Sequence, residues 1–176
     1  MNRRDLLKLS LAASASTFVA RPAQAVETCS TDGTPAQLTP KKAADANPQV
    51  NDIEKFPKCP YCGMDRKQYH HSRMLIQYSD DLPDGVCSLH CAAISLAVNI
   101  DREPKAIWVA YNASAAEIKP LVEVGQASFL IGSQIKGVMT KRSKVAFGNE
   151  EAAKAAMAAN GGELGNFDKA LLVAYT

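Results

Sequence analysis

Cys59-Pro60-Tyr61-Cys62-Gly63-Met64 places three soft sulfur donors within six residues. Thiolate and thioether sulfurs are polarisable and select a soft ion such as Cu(I) over hard cations. Zinc sites draw on thiolate, imidazole and carboxylate donors rather than thioethers, so Met64 as a ligand argues for copper. Gly63 has no Cβ and lets the backbone turn tightly, so that Cys62 and Met64 can point at one centre. Met139 is a further candidate, because it sits in a polar loop between Lys136 and Lys141 where no apolar periodicity explains it. The candidate metal ligands are therefore Cys59, Cys62, Met64 and Met139, with His70, His71 and His90 as possible additions. Met74, inside a β-rich run, and Met157, on an Ala-rich helical face, read as core residues.

The same cysteines admit other readings. Cys-Pro-Tyr-Cys is a dithiol redox tetrapeptide, and a thiol–disulfide oxidoreductase would use Cys59 and Cys62, with a thiolate favoured by a helix N-terminus. Gly63 follows at once and no strong helical pattern continues from it. Cys59, Cys62, Cys87 and Cys91 together have the spacing of a four-thiolate structural zinc module. Cys59–Cys62 or Cys87–Cys91 pairing would instead give disulfides in an oxidising compartment.

Elements that position these residues can be read from pattern. Arg73–Ser79 is β-rich, Asp80–Gly85 is a turn, and Val86-Cys87 is a short strand. Ser88 is placed to cap a helix running to about Val98, and Ala106–Tyr111 is a buried strand. The second half repeats the order: strand 127–132, a long Gly- and Lys-containing loop, strand 143–147, and a helix over 150–159 capped by Asn149 and ended by Gly161-Gly162. The segment Lys169–Tyr175 fits either a strand or a helix. The expected fold class is α+β, with two tandem ββαβ-like units over 56–115 and 116–176. Residues 26–55 are poor in large apolar side chains and read as a flexible leader, with Cys29 incidental within it.

Residues 1–25 read as a cleaved signal peptide. Arg3-Arg4-Asp5-Leu6-Leu7-Lys8 matches a twin-arginine pattern, an apolar stretch runs from Leu6 to Ala20, and Ala23-Gln24-Ala25 has the small-x-small form of a cleavage site. The stretch is shorter than the roughly 20 residues of a spanning helix. Cys29 lacks the flanking residues of a lipoprotein box. The mature chain is thus expected to be soluble and periplasmic, without a membrane anchor. The formal net charge of +2 belongs to this segment, which carries four basic residues against one acid, leaving −1 for the rest. A near-neutral mature chain has no electrostatic footprint for nucleic acid.

On these residues the chain resembles the NosL family of periplasmic copper-binding accessory proteins. The resemblance is carried by Cys62-Gly63-Met64, the Arg73–Gly85 strand and turn, Val86-Cys87, the Gly137-x-Met139 loop and Val145-Ala146-Phe147, and it spans Phe56 to Phe167. It implies a Cu(I) chaperone rather than an enzyme, with two ββαβ units in a fold shared in part with organomercurial lyase. It implies Cys62, Met64 and Met139 as copper ligands. It also implies a cuproenzyme partner, nitrous oxide reductase being the client of the best-known members. Cys59, Cys87 and Cys91 enlarge the sulfur set beyond the C-x-M pattern. Organomercurial cleavage would require a proton donor beside two thiolates, and Asp65 is the nearby candidate.

Overall fold

Residues 43–175 are described by a computed structural model of the chain. The expected signal peptide over 1–25, the leader over 26–42 and Cys29 lie outside the described residues. Strand β1, Met74–Tyr78, alternates so that Met74, Ile76 and Tyr78 enter the main core while Leu75 and Gln77 point to the other face. A turn with Asp81 in the left-handed region leads to β2, Pro83–Val86, which pairs antiparallel with β1 in the register Met74↔Val86. A helix of Leu89–Val98 follows, then a 3₁₀ turn of Ile100–Arg102, and then β3, Pro104–Ala110, on the other side of β1. Ser88 occupies the N-cap position expected for it, but its hydroxyl makes no capping bond.

The second half reproduces this order. Strand β5, Ser128–Ile131, pairs antiparallel with β6, Lys144–Phe147, and with β7, Glu163–Gly165, with a helix of Glu150–Asn160 between β6 and β7. The sheet orders β2-β1-β3 and β6-β5-β7 are the same topology, each with its first strand in the middle. The fold is α+β with two small antiparallel sheets. Asn149 caps the second helix, its Oδ1 accepting from the Ala152 N–H at 2.8 Å. Strand β4, Leu121–Glu123, lies C-terminal of residue 115 yet pairs with β3 at the edge of the first sheet. The segment with two readings is a helix, Phe167–Tyr175. In chain order the helices are α1 (Asp52–Lys55), α2 (Leu89–Val98), α3 (Glu150–Asn160) and α4 (Phe167–Tyr175).

The core joins the halves. Phe129 and Ile131 share the main cluster with Met74, Tyr78, Val86, Leu89 and Ala170. Leu130 turns to the opposite face, with Val145, Phe147 and Ala153 under α3, and Met157 packs against that group. The second sheet is thus covered on both faces. No helix among the described residues is long and apolar enough to cross a membrane.

Residues 43–55 differ from their reading as part of a leader. Asp52 in α1 is buried, and its carboxylate accepts from Arg66 Nη2 at 2.8 Å and from Arg73 Nε at 2.9 Å. The carbonyl of Asp45 accepts from Gln77 Nε2 at 3.1 Å. Composition hides this, because the segment docks through charge and hydrogen bonds rather than through apolar area.

Candidate metal site

The Cys59–Met64 segment folds into a closed turn. The Cys59 N–H donates to the Met64 carbonyl and the Gly63 N–H to the Cys59 carbonyl, both at 2.9 Å. Gly63 lies at φ 74°, a conformation that glycine adopts without the penalty a Cβ brings. The turn is tethered by Tyr61, whose hydroxyl donates to Asp84 Oδ2 in β2. Burial, with the Asp84 carboxylate beside it, raises the Tyr61 phenol above its ordinary value and keeps it protonated as donor. The Cys-Pro-Tyr-Cys motif opens no helix; the chain continues through an isolated bridge between Lys58 and Asp65 and a run of turns over 66–72 before β1. The helix-terminus assistance expected of a redox dithiol is therefore missing at Cys59.

Cys87 and Cys91 arrive from the other side. Cys87 directly follows β2, its carbonyl held by the Ser72 hydroxyl at 2.7 Å, and Cys91 lies in the first turn of α2. The sulfurs of Cys59, Cys62, Cys87 and Cys91 all lie within 4.8 Å of one another. Cys62 Sγ is 3.4 Å and Cys91 Sγ 3.7 Å from Cys87 Sγ. All four are free thiols, so neither expected disulfide is formed. Cys59, Cys87 and Cys91 are buried, whereas Cys62 is half-buried.

The thioethers close over this group. Met64 Sδ and Met139 Sδ each lie 3.9 Å from Cys87 Sγ, and Met139 Sδ is 3.8 Å from Cys91 Sγ. Met139 is delivered by the β5–β6 loop, with its own backbone at φ 52° and its side chain partly open to solvent at 41%. A Cβ on Gly137 would sit 2.5 Å from Thr140 Cγ2 and 3.1 Å from Ser143 Cα, so the loop closes only over glycine. The four residues read from the sequence, Cys59, Cys62, Met64 and Met139, are thus brought together with Cys87 and Cys91.

Protons in the cluster are unevenly held. The Cys59 thiol is drawn well below its ordinary value because the Cys87 and Cys91 S–H groups donate to its sulfur. The same contacts push Cys87 up to about 12 and Cys91 also upward. A thiolate is favoured at Cys59, whereas Cys87 and Cys91 hold their protons until a cation replaces them.

No histidine nitrogen joins the four-thiol group among the described residues. His70 Nδ1 accepts from the Lys119 N–H at 3.2 Å, and burial lowers its basicity. His71 lines a cleft with Met64 and Met139, and His90 lines a second cleft with Met139, Lys141 and Arg142. Asp65 is exposed, and its Oδ1 accepts from the Lys67 and Gln68 N–H groups at 2.8 and 2.9 Å, a turn-forming role.

Cys87 and Cys91 carried a signal in the sequence, the C-x₃-C spacing, but nothing local ties them to the thioethers; that link is made by packing α2 on β1 and β2 and by the core that the two halves share. Arg66 and Asp52 gave no signal of a role at the site. Fold and site together define a small α+β protein with an all-sulfur cluster suited to a metal ion.

The chain belongs to the NosL family, whose model matches residues 49–170. Among solved structures it is similar to the copper chaperone NosL from Shewanella denitrificans, at 20% identity and a TM-score of 0.56, over 74% of this chain and 96% of that one. At that identity the likeness is one of fold. No curated protein sequence matches the chain.

Proposed function

We propose that the protein binds Cu(I) through Cys59, Cys62, Met64 and Met139 and delivers it to a cuproenzyme, in the manner of nitrous oxide reductase maturation. The observation that carries this reading is the approach of two thioethers to within 4 Å of a four-thiol group. Thiolate and thioether donors together suit a soft univalent ion. Delivery proceeds by ligand exchange: a donor of the partner adds as Met139, the open donor, lets go. No covalent bond of the protein is made or broken, so the role is binding rather than catalysis. The solved relative described as a copper chaperone points the same way. The export segment read in residues 1–25 puts this work in the periplasm, through the twin-arginine route.

Anaerobic Cu(I) titration against bathocuproine tests the reading. The chain is expected to retain Cu(I), and Met64→Leu and Met139→Leu are each expected to weaken binding about tenfold, or ~1.4 kcal/mol. Release of Cu(I) to the chelator as complete as from a variant lacking the four cysteines overturns it.

One observation favours a second reading, a structural four-thiolate zinc site. Four Sγ atoms within 4.8 Å suit one tetrahedral ion with metal–sulfur distances of about 2.3 Å. Zinc that co-purifies at one ion per chain, with an affinity indifferent to Met64→Leu and Met139→Leu, would select it.

A further inference from the structure

The cluster holds more soft donors than one Cu(I) needs. Four thiols and two thioethers converge, and Cys87 Sγ is the hub, with Cys62, Met64, Cys91 and Met139 all within 3.9 Å of it. These contacts form two groups that share one corner. Cys87, Cys91 and Met139 make a nearly equilateral triangle with sides of 3.7, 3.8 and 3.9 Å. A triangle of that size has its centre about 2.2 Å from each corner, close to the ~2.3 Å of a metal–thiolate bond. Cys87 also contacts Cys62 at 3.4 Å and Met64 at 3.9 Å, both presented by the separate Cys59–Met64 turn, and the four thiol sulfurs stay within 4.8 Å of one another.

We propose that the site takes two Cu(I) ions bridged by the Cys87 thiolate, one toward Cys62 and Met64 and the other toward Cys91 and Met139. The inference rests on the copper reading above and goes beyond it in stoichiometry and in the role of Cys87. A thiolate has lone pairs for two metals, and Cys87 is the sulfur common to both sets of contacts. Charge argues the same way. Cys59, Cys87 and Cys91 are buried, and buried thiolates without compensating cations are costly. Two univalent ions offset twice the charge that one does. Cys59 completes the set from within the four-thiol group. The ion beside Met139 is the accessible one, because that thioether is the donor open to solvent.

Reduced full-length chain carrying Cys29→Ser, so that copper counts only the cluster, is titrated anaerobically with Cu(I) under bathocuproine competition and weighed by native mass spectrometry. Two ions per chain are expected, with a Cu–Cu scattering path in X-ray absorption and orange emission under ultraviolet light. Met139→Leu is expected to lower the capacity from two ions to one, and Cys87→Ser to lower it to one and remove the Cu–Cu path. Cys87 is fully buried, so circular dichroism accompanies that variant; if it does not fold, Met139→Leu, at a partly exposed loop position, still decides. Saturation at one ion in the unsubstituted cluster overturns the two-ion site while the copper reading stands. Failure to retain any Cu(I) overturns both. Two ions retained in Met139→Leu overturn the assignment of the second ion.

Discussion

Arg66, two residues after Met64, donates from Nε to the carbonyl of Val86 at 3.2 Å, one residue before Cys87. This bond ties the Cys59–Met64 turn to the last residue of β2, next to Cys87. The remaining guanidinium donors reach the Asp52 and Phe56 carbonyls at 2.9 and 2.7 Å, Asp52 Oδ2 at 2.8 Å and the Met74 carbonyl at 3.1 Å. Arg66 is fully buried, and the five contacts draw on all three of its nitrogens. A rigid fork with several donors meets this set, and a lysine ammonium, a point charge with three donors, does not.

Arg66→Met is therefore expected to leave the Asp52 charge with Arg73 alone and four carbonyls short of a donor. Breaking a buried pair from one side costs about 3–5 kcal/mol, and the surviving Arg73 contact puts the expected loss near the lower end. Urea unfolding measures it. Arg66→Lys should recover only part of the loss, and an unchanged midpoint in either variant would refute the anchoring role.

Gly85 predicts a second sensitive position. It lies in β2 opposite Leu75, and a Cβ there would sit 2.6 Å from Phe56 Cβ and 2.8 Å from Arg66 Nη1. Gly85→Ala must displace either the aromatic residue or the guanidinium just described. Overpacking of this kind costs roughly 1–3 kcal/mol. Thermal unfolding should show the loss, and Cu(I) affinity should fall with it, since the turn is held through Arg66. Gly63→Ala makes the informative contrast, because open space surrounds that position and its cost is the backbone penalty of a positive φ, about 1–2 kcal/mol.

These two positions mark where the sequence was legible and where it was not. Strands β1, β3, β5 and β6, the helices α2 and α3 and the sulfur-bearing motifs follow from local periodicity, capping and turn residues, whereas β2 begins at Pro83, inside the segment read as a turn, and the short strands β4 and β7 have too few residues to show a period. The Asp52–Arg66–Arg73 network does not, because each of its bonds joins residues 14 or 21 positions apart by charge and carries no periodic signature. Segment 43–55 docks in the same way, through Asp45 and Asp52, and its composition carries no mark of it. At the site, Gly63 and the odd placement of Met139 in a polar loop were readable. The meeting of Met139 with Cys87, 52 residues earlier, depends on how the two sheets share one core.

Tyr78 gives a pH prediction. Its hydroxyl pairs with Ser95 Oγ at 2.7 Å, Ser95 Oγ donates to Asp84 Oδ2 at 2.6 Å, and the Arg102 guanidinium stands 4.3 Å from the ring centroid. Burial pushes the phenol up to about 12 from the ordinary 10.0. The folded state therefore keeps a proton that the unfolded chain releases. The associated stability is fully present below pH 10 and is lost as pH rises through 12, about 2–3 kcal/mol across the window. Phenolate absorbance should show a late-titrating tyrosine that disappears in Tyr78→Phe. Release of that phenol near pH 10 in the folded chain would contradict the burial argument.

Thiol labelling supplies the last prediction, from exposure alone. Cys59, Cys87 and Cys91 are buried, and Cys62 is the half-buried member of the cluster. In reduced, metal-free Cys29→Ser chain, a small alkylating reagent should modify one thiol quickly, and peptide mapping should place it at Cys62. The Cys59 thiol is drawn toward its thiolate by its neighbours, but at 2% exposure its sulfur is shielded by the turn and by those neighbours. Nucleophilicity without access does not give rate. Denaturant should make all four thiols reactive, which separates burial from chemistry. Cu(I) should protect Cys62 in proportion to its occupancy, because its sulfur lies 3.4 Å from Cys87 Sγ inside the cluster. Rapid labelling of Cys87 or Cys91 in the folded chain would show that the cluster opens, and fast labelling of Cys62 after Cu(I) loading would remove it from the ligand set.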